Sequence, residues 1–171
     1  EVEKTNKFPK IVISRKHEGL LKKLFELAIP EITSGLIEIK AVAREAGSRA
    51  KVAVYSADPN IDTVGAWLGQ KGLRIKNIVN ELNGEKIEIV IWKESVEEFV
   101  SAVLSPAKVK SVEVIEDENT ARVIVDNSQL SLAIGKNGQN ARLAAKLTGM
   151  RVDIKTENSS KDDSLEGEQS E

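Results

Sequence analysis

The sequence has no cysteine, one histidine and one methionine. Without cysteine there are no disulfides, no thiolate nucleophile and no sulfur-ligated metal. His17 stands alone, with no Ser, Cys or carboxylate constellation around it, so helix capping or solvent exposure accounts for it. No Gly-x-x-x-x-Gly-Lys-Ser/Thr segment is present, which removes the usual signal for nucleotide hydrolysis. The neighbouring acids Glu97-Glu98 and Asp162-Asp163 diverge on a helix or a tail and cannot act as a general acid and base. No apolar run approaches the roughly 20 residues of a membrane span, and no secretory signal pattern opens the chain. The expectation is a cytoplasmic protein that is not an enzyme and needs no metal and no cofactor. The single Met is Met150, so a chain opening at Glu1 reads as a fragment or a processed product.

What is there suffices for one medium domain or two small ones: 171 residues, of which 40% are hydrophobic. The net charge of −2 is unevenly spread. Residues 156–171 carry −5, leaving +3 on residues 1–155. That Ser-, Glu- and Asp-rich tail has Leu165 as its one large apolar residue and is expected to be disordered. The Asn158-Ser159-Ser160 sequon is read as chance in the absence of a secretory signal.

Hydrophobic periodicity gives the order of elements. Residues 11–13 read as a strand with nothing obvious to pair with. A helix period covers 17–28 and stops at Pro30. Strands are expected at 36–43 and 51–55, a helix at 61–68, a second helix to 82 and a strand at 86–92. The order then restarts, with a helix from Val96 ended by Pro106 and strands at 109–115 and 121–125. A helix from Ser128 as N-cap to 134 follows, then one to 147 ended by Gly149, and a strand at 151–155. Each half is helix, strand, strand, helix, Gly-x-x-Gly, helix, strand. Residues repeat as well as patterns. Gly69 and Gly72 match Gly135 and Gly138, and Lys51-Val52-Ala53-Val54 matches Arg122-Val123-Ile124-Val125. Shared offsets of this kind point to duplication.

One Gly-x-x-Gly is weak, because composition alone supplies about 0.7 occurrences in a chain of this make-up. Two at equivalent positions between two helices are much stronger. A turn without Cβ atoms lets a phosphate approach the backbone, and the helix that follows points its free N–H groups and positive end at the same place. Lys71 and Lys136 sit in the turns themselves. Residues 63–80 contain no acid but hold Lys71, Arg74 and Lys76; residues 127–152 contain no acid but hold Lys136, Arg142, Lys146 and Arg151. Both windows suit an anionic ligand. For Leu68, Ile75, Ile78, Leu132, Ile134 and Ala141, core packing stands beside an aliphatic groove for bases. For Trp67 and Trp92, a core or domain contact stands beside base stacking.

Leu68-Gly69-Gln70-Lys71-Gly72 and Ile134-Gly135-Lys136-Asn137-Gly138, in this order of elements, resemble two type II KH domains. Such modules clamp about four nucleotides of single-stranded RNA with this turn. Glu38-Ile39-Lys40-Ala41-Val42-Ala43-Arg44-Glu45-Ala46-Gly47, Leu104-Ser105-Pro106-Ala107-Lys108-Val109 and Asn140-Ala141-Arg142-Leu143-Ala144-Ala145-Lys146-Leu147-Thr148-Gly149 narrow it. They resemble the KH pair of the NusA family of transcription termination/antitermination factors. Gln70 stands where the family pattern has Pro.

The resemblance implies an α+β fold of two tandem KH domains, each with a three-stranded sheet. The implied divisions are 1–14 (the remnant of an S1-like domain), 15–92, 93–155, and the tail 156–171. It also implies binding of nascent single-stranded RNA in the regulation of RNA polymerase pausing, termination and antitermination. The implied RNA-binding residues are Gly69, Gln70, Lys71, Gly72, Arg74, Lys76, Gly135, Lys136, Asn137, Gly138, Arg142 and Lys146. RNA polymerase would be engaged through upstream domains, with other antitermination factors as further partners and the chain a monomer. The rival reading is a protein-interaction scaffold that docks polymerase or another factor, with the loops serving only as turns.

Overall fold

A computed structural model describes residues 2–4 and 8–157; the tail expected to be disordered lies, from position 158, outside the described residues. Two short strands, β1 (Val2–Glu3) and β2 (Lys10–Ile11), pair antiparallel at the start. The strand expected at 11–13 thus begins at Lys10 and does have a partner, while Ile13 is exposed.

The first repeat opens with α1 (Glu18–Ala28), which buries Leu21 and Phe25 on one face and is capped by His17, whose Nδ1 accepts the Gly19 N–H at 3.0 Å. Pro30 does more than end that helix. It starts a second, α2 (Pro30–Thr33), because a proline at the first helical position lacks only an N–H that would be unpaired there anyway. β3 (Glu38–Glu45) and β4 (Arg49–Tyr55) form an antiparallel hairpin. α3 (Thr63–Leu68) leads into the first Gly-x-x-Gly turn and α4 (Leu73–Glu81) leaves it, before β5 (Lys86–Ile91) joins parallel to β4.

The second repeat runs α5 (Val96–Val103), β6 (Val109–Ile115), β7 (Thr120–Val125), α6 (Asn127–Ile134), the second turn, α7 (Gln139–Thr148) and β8 (Arg151–Thr156). Ser128 is not the N-cap of α6. The cap position belongs to Asp126, whose carboxylate meets Lys110 at 2.7 Å and makes no capping bond to the helix. β8 reaches Thr156, which pairs with Val125, one residue beyond the expected strand.

The duplication read from residues is reproduced in register. The sheets have the orders β3-β4-β5 and β6-β7-β8, and Val52 opposite Ile89 corresponds to Val123 opposite Ile154. Each hairpin is irregular at the same place, between Ile39 and Ala41 and between Val109 and Ser111.

The two sheets differ in how they are covered. Strand side chains alternate between faces. On the first sheet Val42, Ala50, Val52 and Val54 pack with α1 and α3 residues around Phe25 and Trp67. The opposite face offers Ala43, Ala53 and Val90, which pack with Phe99, Val103, Leu143 and Leu147 of the second repeat. β4 is consequently buried from Ala50 to Val54 without a break, whereas β7 alternates. The small Ala41, Ala43 and Ala53 leave room for a helix to lie close on the sheet.

Lys51 occupies the same interface face with no solvent exposure. Its Nζ donates to the Val103 carbonyl at 2.7 Å and the Ser105 carbonyl at 3.0 Å, and meets Glu88 Oε2 at 2.8 Å. An ammonium has three donors, and all three are used. Two of the acceptors are carbonyls at and just past the end of α5, where the helix dipole is negative. Burial pushes the Lys51 ammonium down from the ordinary lysine range, and the bond to Glu88 offsets part of that. A second buried pair closes the first repeat on itself. Arg44 Nε and Nη2 reach Glu85 at 2.7 and 2.9 Å, the Gly47 N–H donates to the same carboxylate at 3.0 Å, and Arg44 Nη1 holds the carbonyls of Arg15 and His17. Burial raises the Glu85 carboxyl, but the bonds from Arg44 and Gly47 outweigh it and hold the group below the usual carboxylate range.

Lys51→Met strips the donor from two inter-repeat carbonyls and from Glu88. It is expected to lower unfolding stability by about 2–4 kcal/mol, a loss read from the urea midpoint. An unchanged midpoint would show that the ammonium contributes nothing net.

Candidate nucleic-acid interface

The first turn begins where the N–H of Gly69 closes α3 on the Gly65 carbonyl at 2.8 Å; the second begins where Gly135 closes α6 on Ser131 at 2.9 Å. Gly69 has φ 64°, ψ −172°, and Gly135 has φ 76°, ψ 170°, a region open in practice only to glycine. Next come left-handed residues: Lys71 (53°, 27°) and Gly72 (71°, 18°) in one turn, Asn137 (53°, 28°) and Gly138 (74°, 13°) in the other. Two segments with different middle residues have therefore settled on one backbone conformation.

The two glycines of each turn have different duties. A Cβ on Gly69 would lie 2.7 Å from Cγ of Arg74, and one on Gly135 would lie 2.8 Å from both Cβ and the backbone nitrogen of Asn140. Those two side chains bind each turn from behind. Arg74 Nη1 donates to the Ala66 carbonyl at 2.7 Å, and Asn140 Nδ2 to the Ala133 carbonyl at 3.0 Å. In both cases a residue of the helix after the turn holds a carbonyl of the helix before it. The first glycine makes room for this clasp. A Cβ on Gly72 would meet nothing within 4 Å, and one on Gly138 only Arg142 Nη1 at 3.3 Å. The second glycine thus leaves bare backbone facing outward rather than serving the packing.

The structure divides the expected binding residues into two groups. Gln70, Lys71, Lys76, Lys136, Asn137 and Lys146 are exposed, and their lysines make no ion pair among the described residues. Arg74 and Arg142 are already occupied. Arg74 Nη1 lies 3.1 Å from Glu31 Oε2, and Arg142 Nε lies 3.0 Å from Glu45 Oε1. Glu31 and Glu45 lie far outside the acid-free windows in sequence, and folding brings them in. Bonds from Arg142 and then Gln139 hold the Glu45 carboxyl below its ordinary range. The Glu31 carboxyl is likewise lowered, first by a backbone hydrogen bond and, against some desolvation, by Arg74.

Of the aliphatic candidates, Ile78 belongs to the core, while Leu68 and Leu132, one before each turn, are 42% and 44% exposed. Ile75, Ile134 and Ala141 are half-buried. Leu73, not singled out from the sequence, is also exposed directly after the first turn. Trp67 is fully buried edge-on to Phe25, and Trp92 is half-buried against Tyr55 and Phe99, so both take the packing role. Sequence reading missed Glu45, Ser48 and Gln139, which meet across the two repeats. Their only sequence signal is the Glu45-to-Arg49 hairpin bend, which gives no hint of the opposite partner. No described helix is long and apolar enough to cross a membrane, and no described group of His, Asp and Glu side chains could hold a metal.

A solved structure described as the crystal structure of APE1850 has the same fold, with a TM-score of 0.58 at 23% identity over 78% of this chain and 96% of that one. Family models of the NusA-like first and second KH domains match residues 15–92 and 96–162. This chain belongs to the NusA-like KH family. Its α+β architecture is that of two tandem KH domains, in the order expected from the sequence. It is 60% identical to the transcription termination/antitermination protein NusA of Halalkalibacterium halodurans over 92% of this chain and 41% of that protein. The Bacillus subtilis protein of the same name is 59% identical over 92% and 42%, and that of Thermus thermophilus 49% over 89% and 39%. The chain therefore spans about two fifths of the length of these curated relatives.

The division of labour between the glycines predicts unequal substitutions. Gly135→Ala is expected to cost about 2–3 kcal/mol, from a forbidden backbone region plus contact with Asn140. Gly138→Asn is expected to cost less than about 1 kcal/mol, since asparagine tolerates left-handed backbone. Urea unfolding of the two variants checks this, and the reverse ranking would contradict it.

Proposed function

We propose that this NusA-like KH pair binds single-stranded RNA at both Gly-x-x-Gly turns, as the RNA-binding part of a cytoplasmic factor that regulates pausing, termination and antitermination by RNA polymerase. The observation that carries the reading is the shared backbone of the two turns. Each presents an outward left-handed residue and a bare second glycine, and each has an exposed lysine, Lys71 or Lys136. An exposed leucine, Leu68 or Leu132, stands just before the turn as an apolar surface for bases.

In this reading the phosphate backbone runs along each turn. The N-terminal N–H groups of α4 and α7 face it, and Lys71 and Lys136 supply charge. Gln70 and Asn137 offer neutral hydrogen-bonding groups, and Lys76 and Lys146 add charge further along each helix. Arg74 and Arg142 contribute by shaping the turns, since their guanidinium groups are bound to protein carboxylates. The chain acts alone as a monomer on RNA and performs no chemistry. Polymerase and other antitermination factors are reached through other parts of the full-length protein.

The scaffold alternative has no observation in its favour comparable to the repeated turn, and filter binding separates the two. Lys136→Asp with Asn137→Asp places two negative charges at the second turn and touches no core residue. It is expected to reduce RNA retention at least tenfold with an unchanged circular dichroism spectrum. With about four phosphates neutralised, log K should fall with log salt at a slope of roughly −3, and duplex RNA should bind poorly. Unchanged retention by the variant, or equal binding of duplex and single strand, would sink the proposal.

A further inference from the structure

Among the described residues, the second turn is linked through Arg142 and Gln139 to the opposite module, and the first has no such link. Glu45, the last residue of β3, accepts from Arg142 Nε at 3.0 Å and from Arg142 Nη2 at 3.4 Å. It also accepts from Gln139 Nε2 at 2.8 Å, and that amide donates to Ser48 Oγ at 2.8 Å as well. The remaining arm of the guanidinium, Nη1 of Arg142, donates to the carbonyl of Asn137. Asn137 is the non-glycine residue of the turn with φ +53°, and Gln139 is the first residue of α7. A continuous path of bonds thus leads from a strand of the first module to a backbone atom inside the turn of the second. At the first turn the corresponding residue, Lys71, receives no side-chain bond on its carbonyl among the described residues, and Arg74 is anchored by Glu31 of its own module.

Lys71 takes the same left-handed backbone without such a bond, and asparagine tolerates that region, so the path does not create the shape of the second turn but adds a restraint on it. A binding turn that is already held does not have to be ordered at the expense of ligand affinity. We infer that Glu45 is a positioning residue for the second RNA site: through Arg142 and Gln139 it restrains the Asn137-Gly138 turn in its binding shape before RNA arrives, so that the first module governs affinity at the second. The inference rests on the proposed RNA function of that turn. The same contacts admit an opposite role, in which Glu45 withholds the Arg142 charge from phosphate. The two roles differ in sign.

The test compares the full chain with its Glu45→Gln variant by NMR, first free and then titrated with a single-stranded RNA of about four nucleotides. In free protein, the Asn137 and Gly138 amides are expected to shift and exchange faster in the variant, while Lys71 and Gly72 stay unchanged. On titration, the affinity read at Gly138 is expected to fall about three- to tenfold, the worth of roughly one hydrogen bond, with that at Gly72 unaffected. In an Arg142→Gln background, Glu45→Gln is expected to have little further effect, because the path is already cut. Tighter RNA binding by the variant would overturn the inference in favour of charge withholding. Unchanged amides with unchanged affinity would overturn it outright. Should Glu45→Gln unfold the chain, Gln139→Ala cuts the other half of the anchor and carries the same comparison. If RNA moves no amide of the second turn in the unmodified chain, the RNA reading fails instead, and the RNA-free comparison still decides whether Glu45 restrains the turn.

Discussion

The ammonium of Lys51 sits where the two modules meet, and much of the structure is arranged around it. It is fully buried, yet each of its three donors has an acceptor: the carbonyls of Val103 and Ser105 and the carboxylate of Glu88. An unpaired charge at such a place would be prohibitively costly, whereas a fully bonded one is tolerated and highly directional. Apolar packing of Ala43, Ala53 and Val90 against Leu143 and Leu147 gives the interface its area. Nonpolar contact alone would permit sliding. Lys51 fixes which carbonyls of the α5 terminus lie over which residue of β4.

That registration has consequences at both turns. α7 begins immediately after the second turn and packs against the first sheet, so the helix that shapes one proposed binding surface is part of the core that joins the modules. Duplication supplied two similar modules with the same strand register, but the interface uses them unequally. Among the described residues, the first sheet is covered on both faces and the second on one. Equivalent turns therefore acquire different supports: Arg74 and Glu31 within one module, Arg142 and Glu45 between two.

The element order and the turns were legible from residues because their signals are local. Periodicity marked α1 and α5, and paired glycines at matching repeat positions marked the turns, since only glycine takes the backbone found at Gly69 and Gly135. Of the two roles open to Trp67 from the sequence, the structure takes core packing. What escaped was long-range. Acid-free windows around the turns suggested unopposed arginines, but sequence distance conceals Glu31 and Glu45, which folding places on Arg74 and Arg142. Lys51 reads as an ordinary strand lysine, because nothing local says that its face of the sheet will be covered by a second module. Ser128 was a sound capping residue in the wrong register, displaced by Asp126, which itself turns to Lys110.

In the proposed function, two pre-shaped turns, held in one relation by the interface around Lys51, act on a single RNA strand. Linked sites raise effective concentration, so a strand long enough to reach both should bind far more tightly than one that fills a single turn. The most direct measurement is the affinity of single-stranded RNAs of increasing length, from about four to about twelve nucleotides, at fixed salt. A rise of at least tenfold is expected once the strand exceeds roughly eight nucleotides, with little gain beyond twelve. Equal affinity for four- and twelve-nucleotide strands would contradict it.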